Sequence, residues 1–150
     1  MEKTAYIYST EFQISSTAKL VTKLAEKRFN TEIKNNISYE EYQILDTIMC
    51  YPHINSTLLA KTLFQDENTT KKNINKLIKR NLINEVKEKH NEIKTHFYEI
   101  TQDGVRIYKD IASQSDSMIV TLLKFISEKE LISFLRTLKK IRNILISLEY

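Results

Sequence analysis

Residues 54–101, INSTLLAKTLFQDENTTKKNINKLIKRNLINEVKEKHNEIKTHFYEIT, constrain this chain more than any other stretch. Read in order, they predict a short helix, a tight turn and a second helix loaded with lysine and asparagine. A strand, a charged hairpin tip and a second strand follow. Asn55 is placed to cap the first helix, with Leu58, Leu59 and Leu63 facing inward. Asp66 is placed to cap the second, which starts near Glu67. In that second helix Thr70, Ile74, Leu77 and Ile78 fall within one arc. Asn68, Lys72, Asn75, Lys76 and Lys79 fall on the other side. Asn81 follows, where a helix end favours a left-handed residue that Asn tolerates. Strands are expected over 82–89 and 93–100, closed near His90-Asn91-Glu92. A helix rich in Lys and Asn, held by a second helix and followed by a hairpin with lysines near its tip, suits the groove of a duplex.

The flanks are helical. Residues 5–35 carry Ile14, Ala18, Val21, Leu24 and Ala25 at helical spacing. Ser38 and Glu41 form a capping box, and the helix it opens places Tyr42, Leu45, Ile48 and Met49 on one stripe and stops before Pro52. Thr101 caps a helix expected to run to about Ile126. Ser127 and Glu130 form a second box, after which Leu131, Phe134, Leu135, Leu138, Ile141, Leu145 and Leu148 make a seam at heptad-like spacing. Both terminal segments are too apolar to stand alone, and a second copy of the chain is the simplest cover. Packing on each other within one monomer is the alternative.

Charge is informative through its placement. The chain carries a net +4 and an isoelectric point near 9.0. Residues 67–80 hold Lys71, Lys72, Lys76, Lys79 and Arg80 against Glu67 alone, so one helix carries as much net charge as the whole chain. The single cysteine, Cys50, rules out an internal disulfide and fits a reducing cytoplasm. It is expected to be a small, mostly buried residue rather than a redox switch. No secretory signal or bilayer-length apolar run is visible, so no membrane partner is expected.

Catalysis has no visible seat. One glycine and one proline leave little for a phosphate loop or an oxyanion turn, and no HExxH or nucleophile elbow occurs. An enzyme is therefore not expected, nor a cofactor. His53, His90 and His96 make no helical i, i+4 pair, and no metal site is expected.

The ordered motifs resemble the MarR family of winged-helix regulators, over nearly the whole chain and without a gap through its centre. Leu59-Ala60 and Leu63 resemble the family's "LA..L" helix. Thr69, Ile74 and Leu77 sit where its recognition helix has "st.v…v..L", and Arg80-Asn81-Leu82-Ile83 resembles "rGLI". Ile100-Thr101-Gln102-Asp103-Gly104 resembles "LT..G". Departures are Asn81 for Gly, Thr70 and Asn73 at commonly apolar positions, and Glu92-Ile93-Lys94 at a wing tip that usually reads Asp-x-Arg. Lys lacks the planar fork of Arg, which weakens any minor-groove reading.

The resemblance implies a mainly α fold: a winged helix-turn-helix over 37–101 with a small β-hairpin wing, and dimerisation helices over 1–36 and 102–150, together one domain. It implies a bacterial transcriptional regulator, a homodimeric repressor binding a pseudo-palindromic operator in double-stranded DNA. Asn pairs with adenine, and Lys with guanine or phosphate. Asn68, Thr69 and Asn75 are thus expected at base edges, and Lys71, Lys72, Lys76 and Lys79 at phosphates or bases. Lys89, His90 and Lys94 should approach from the wing. Tyr6, Tyr8, Phe12, Tyr39 and Tyr42 cluster where relatives bind small aromatic effectors, and they equally suit core packing. The alternative from another class is a winged-helix protein-interaction module without sequence-specific DNA binding.

Overall fold

Side chains that cap helix starts set the order of elements. The computed structural model describes residues 6–34, 36–90, 93–114 and 118–149, with the backbone alone for 89, 90, 93–95, 118, 119 and 149. Contacts divide the chain into two compact units, Met1–Ser115 and Asp116–Tyr150.

In the first unit a short 3-10 turn, Tyr6–Tyr8, leads into α1 (Thr10–Glu32). α2 (Tyr39–Cys50) opens on the expected box: Glu41 N–H donates to Ser38 Oγ at 3.2 Å, and Ser38 N–H donates to Glu41 Oε2 at 2.9 Å. α3 (Ser56–Leu63) starts with Leu58 N–H donating to Asn55 Oδ1 at 2.8 Å. α4 (Glu67–Lys79) starts with Thr69 N–H donating to Asp66 Oδ2 at 2.8 Å. Phe64, left-handed at φ 52°, makes the turn between these last two helices. Strands β1 (Ile83–His90) and β2 (Ile93–Ile100) pair antiparallel, with Ile83 opposite Ile100 and His90 opposite Ile93. Tyr98 N–H donates to the Ile54 carbonyl at 3.1 Å, which ties the hairpin base to the segment before α3. α5 (Gln102–Gln114) closes the unit.

The core of this unit gathers Phe29 and Ile33 from α1, Ile44, Leu45 and Ile48 from α2, and Leu59 from α3. Ile74 and Leu77 of α4, Ile83 and Tyr98 of the hairpin, and Ile111 of α5 complete it. The second unit holds α6 (Met118–Leu122) and α7 (Glu128–Glu149). The second capping box starts α7, with Ser127 N–H donating to Glu130 Oε2 at 2.9 Å.

Three expectations need correction. Leu58 points outward and is 51% exposed, because α3 buries the arc of Leu59, Ala60 and Leu63 instead. The helix expected after Thr101 does not reach Ile126: α6 ends at Leu122, and residues 115–117 between α5 and α6 lie outside the described residues. Near the end of α5 the Ser113 hydroxyl donates back to the Asp110 carbonyl at 2.7 Å. Cys50 is exposed, since α2 buries the side carrying Glu41, Ile44, Leu45 and Ile48 and its last residue lies off that arc.

The joint between α4, β1 and α5 explains two of the sequence motifs. Asn81 adopts φ 57°, the left-handed conformation expected of it. Its carbonyl accepts from the Thr101 hydroxyl at 2.8 Å, and that oxygen accepts from Gly104 N–H at 3.0 Å. A Cβ at Gly104 would run into the Leu82 carbonyl oxygen and stand 2.7 Å from Ile100 Cγ1. Backbone cannot give way as a flexible side chain can. Gly104→Ala is therefore expected to destabilise the chain by about 1–3 kcal/mol, as overpacking does. Denaturant unfolding measures this, and an unchanged midpoint would contradict the close approach.

Candidate nucleic-acid interface

α4 is amphipathic in a way that leaves one side free. Thr70, Asn73, Ile74 and Leu77 are buried, while Asn68, Thr69, Lys71, Lys72, Asn75, Lys76 and Lys79 are all exposed. Burying Ile74 and Leu77 is worth roughly 1.5–3 kcal/mol each. A surface ion pair contributes about 0–1 kcal/mol. The apolar arc therefore decides which side faces in, and the polar stripe is what remains. The two buried polar residues on that arc are satisfied. Thr70 Oγ1 donates to the Asp66 carbonyl at 3.0 Å, and Asn73 Oδ1 accepts from Lys76 Nζ at 3.2 Å.

The cations of this face differ in how they are held. Lys71 pairs with Glu67 at 3.0 Å, and the Thr57 hydroxyl donates to the same carboxylate at 3.0 Å. Lys71 first, and then Thr57, hold the Glu67 carboxyl below its ordinary range. Lys76 reaches Glu41 at 3.7 Å. Among the described residues Lys72 and Lys79 have no acidic partner. Thr69 gives its amide, and its hydroxyl as well, to Asp66, whose carboxyl is lowered chiefly by that amide. Asn68 and Asn75 keep their amide groups at the surface.

In the wing the register sets Lys89 opposite Lys94 and Lys87 opposite His96. The side chains of Lys89, His90 and Lys94 lie outside the described residues, as do the tip residues Asn91 and Glu92. Lys87 and His96 are exposed and share Glu85, at 3.2 and 3.4 Å. The hydrogen bond from Lys87 does most to hold the Glu85 carboxyl low. Sequence reading passed over Lys87, although its spacing from Lys89 places both on one side of a strand. An open cleft of about 320 Å³ lies beside the wing base, between His53–Thr57 and His96–Tyr98, with the His53 ring edge-on to Phe97 at 4.5 Å. Among the described residues no group of three or more His, Cys, Asp or Glu could hold a metal.

The five aromatics expected at one site fall into two groups. Tyr6 packs edge-on against Phe12 at 5.6 Å at the start of α1, and Tyr6 and Tyr8 are largely exposed. Tyr39 and Tyr42 both pack on Phe29, each at 5.5 Å, near the end of α1. Phe12 and Phe29 belong to the same helix, and seventeen residues of helix separate them by roughly 25 Å. Within one chain these groups do not meet. Tyr42 also stacks on Tyr108 at 5.8 Å, and the Tyr108 hydroxyl donates to Asp46 Oδ1 at 2.9 Å. Phe29 and Tyr108 were missed in the sequence. The signal for Tyr108 was its place with Gly104, Ile107 and Ile111 on one side of α5.

No family model matches the sequence, and no curated protein is similar to it at the sequence level. Solved structures are similar in fold. A MarR/EmrR family transcriptional regulator from Acinetobacter sp. ADP1 superposes with a TM-score of 0.75 at 20% identity, over 90% of this chain and 93% of that one. MepR from S. aureus, solved as a DNA complex, superposes at 0.72 with 17% identity, over 94% and 99%. PcaV from Streptomyces coelicolor, a transcriptional regulator solved with its natural ligand, superposes at 0.72 with 14% identity, over 95% and 98%. The chain thus has the winged helix-turn-helix fold of MarR-type regulators.

The Tyr108–Asp46 contact has a titration signature. Donation to the carboxylate, then burial, pushes the phenol from 10.0 up to about 12. A pKa raised on folding means the contact stabilises fully below pH 10 and is lost as pH climbs through about 12. An ultraviolet titration of the folded chain is expected to show a most alkaline phenol step that Tyr108→Phe removes. Loss of a different step, or of none, would count against the assignment.

Proposed function

We propose that the chain is a sequence-specific DNA-binding transcriptional regulator. It acts as a cytoplasmic homodimer on a pseudo-palindromic operator, with repression as its output. The observation that carries this reading is the exposed stripe of Asn68, Lys72, Asn75, Lys76 and Lys79, presented by a buried arc within a helix-turn-helix that a two-stranded hairpin flanks. Such a helix fits the major groove, and a hairpin beside it reaches the backbone or the minor groove. Lysines contribute through counterion release, and asparagine amides read adenine. The fold shared with a regulator solved on DNA supports the reading.

Dimerisation is supported by apolar surface. On α7, Phe134, Leu135, Ile144, Leu145 and Leu148 are exposed, and on α1 so are Leu20, Val21 and Leu24. Large apolar surface of this kind marks an interaction site. Two copies then place two α4 helices on successive major grooves, about 10 base pairs apart. A small aromatic effector is proposed at the nest of Phe29, Tyr39, Tyr42 and Tyr108 rather than at Tyr6, Tyr8 and Phe12. The nest offers stacked and tilted rings between three helices. An effector acts only if it favours one spacing of the two heads over another.

Selection of bound sequences from random duplex tests the reading directly. A single enriched, twofold-related motif is expected, and recovery of unselected sequence would refute sequence-specific binding. With that duplex in hand, Lys72→Ala combined with Lys79→Ala is expected to weaken binding at all sequences and to lower the salt slope by about 2. Asn75→Ala should instead relax preference at one position by about 1–3 kcal/mol. Leu135→Glu with Leu145→Glu should yield a monomer in sedimentation and abolish the selective complex. A dimer that persists would place the interface elsewhere.

A further inference from the structure

Glu41 is a buried carboxylate whose contacts extend well beyond its own helix. Its side chain is 6% exposed. One oxygen accepts the Ser38 amide that opens α2. Lys76 Nζ stands 3.7 Å from Oε1 and Arg80 Nη1 stands 3.6 Å from Oε2, both cations arriving from the last turns of α4. Arg80 Nη1 also donates to the Asn36 carbonyl at 2.7 Å, and Lys76 Nζ to Asn73 Oδ1 at 3.2 Å. Three contacts thus join Ser38, α2 and the C-terminal end of α4 through one carboxylate, and Arg80 adds a fourth, to the Asn36 carbonyl.

The apolar arc of α4 cannot do this work alone. Apolar burial is non-directional, so it resists small rotations of α4 about its axis less sharply than a buried, paired charge does. Those rotations would carry Asn75 and Lys72 sideways across a groove. A buried carboxylate resists them, because pulling its cations away leaves an uncompensated charge in the interior. Lys76, although on the outward stripe, bends back to this carboxylate, so its first role is as a strut.

We propose that Glu41 is the positioning residue of the reading head: through Lys76 and Arg80 it fixes the rotation of α4, and so decides which of its side chains meet base edges. This rests on the DNA-binding reading above. Glu41→Gln separates positioning from bulk electrostatics, since the two predict opposite signs. Loss of an acid near a cationic face should tighten binding to any duplex. Loss of positioning should weaken binding to the preferred duplex alone.

The test compares wild type, Glu41→Gln and Arg80→Gln by anisotropy titration. The probes are the duplex recovered by selection with the wild-type chain and a scrambled duplex of equal length and composition. Glu41→Gln is expected to lose roughly tenfold on the selected duplex, within the range over which members of one network couple. It should bind the scrambled duplex as well as wild type or better. Arg80→Gln leaves the cap intact; the lost charge should weaken binding to both duplexes, and lost positioning should make the loss larger on the selected one, which keeps the proposal open to test if Glu41→Gln fails to fold. Hydrogen exchange supplies a readout without DNA: amides 76–80 should exchange faster in either variant that folds, while those of α3 stay unchanged. A preserved ratio between the two duplexes, or unchanged exchange at 76–80, overturns the proposal. If wild type shows no preference among duplexes while the exchange result holds, the DNA reading falls and Glu41 remains only a structural tie.

Discussion

The helix-turn-helix depends on the burial of one arc of α4. Ile74 and Leu77 are almost fully covered, packed into a core with Ile44 and Leu45 of α2 and Leu59 of α3. That contact fixes α4 in the fold and, by exclusion, leaves its polar stripe in solvent. Everything else serves or refines the placement. Asp66 caps the start of the helix, Phe64 makes the turn before it, and Asn81 stops it. The Thr101–Gly104 joint then sends the chain from the hairpin into α5 close against the Leu82 carbonyl. A bulkier residue at Gly104 would press on the same strand that leaves α4.

Within that frame, charge is distributed in two grades. Lys71 and Lys76 each answer an acid of the same chain, whereas Lys72 and Lys79 have none among the described residues. A cation already paired releases less free energy when it meets a phosphate, because its first partner must be given up or shared. The net charge of the helix therefore overstates its grip on a polyanion. On the proposed DNA-binding reading, the unpaired lysines and the surface amides of Asn68 and Asn75 would carry most of what α4 offers a duplex.

What the sequence made legible follows from which interactions are local. Helix caps are contacts between residues three apart, and Ser38, Asn55, Asp66 and Ser127 were all read correctly. The period of α4 separated its two sides, and the strands were placed to within a residue, 82–89 expected against Ile83–His90 observed; their register was not read, and it brings His90 into pairing with Ile93. Long-range partners were not legible. Glu41 reads as a capping residue, and its pairing with Lys76 and Arg80 spans a sequence separation that no local pattern encodes. Leu58 was misread because three leucines in one turn and a half cannot all face one core. Cys50 was misread because average burial of a residue type ignores its place at a helix end. The aromatic cluster failed for a geometric reason: nearness to a common junction was assumed for residues that a long helix holds far apart.

The α1–α2 corner joins two features that otherwise look separate. Phe29 lies one turn before Ile33, which ends α1, and its ring carries the stack through Tyr42 to Tyr108. A few residues on, Asn36 and Ser38 meet Arg80 and Glu41, the tie to the far end of α4. Ile33 and Ile37 are buried between them. Packed interiors transmit displacement rather than absorb it. The end of α1 lies close in sequence to both the aromatic stack and the Arg80–Asn36 contact. A ligand that prefers one packing of the stack would bias α4 only where that packing and the seating of α4 are coupled through this corner. The reverse holds on the same condition: a duplex that selects one seating of α4 would then bias the packing around Phe29. The corner, rather than the groove-facing stripe, is where sensing and reading would meet in this fold.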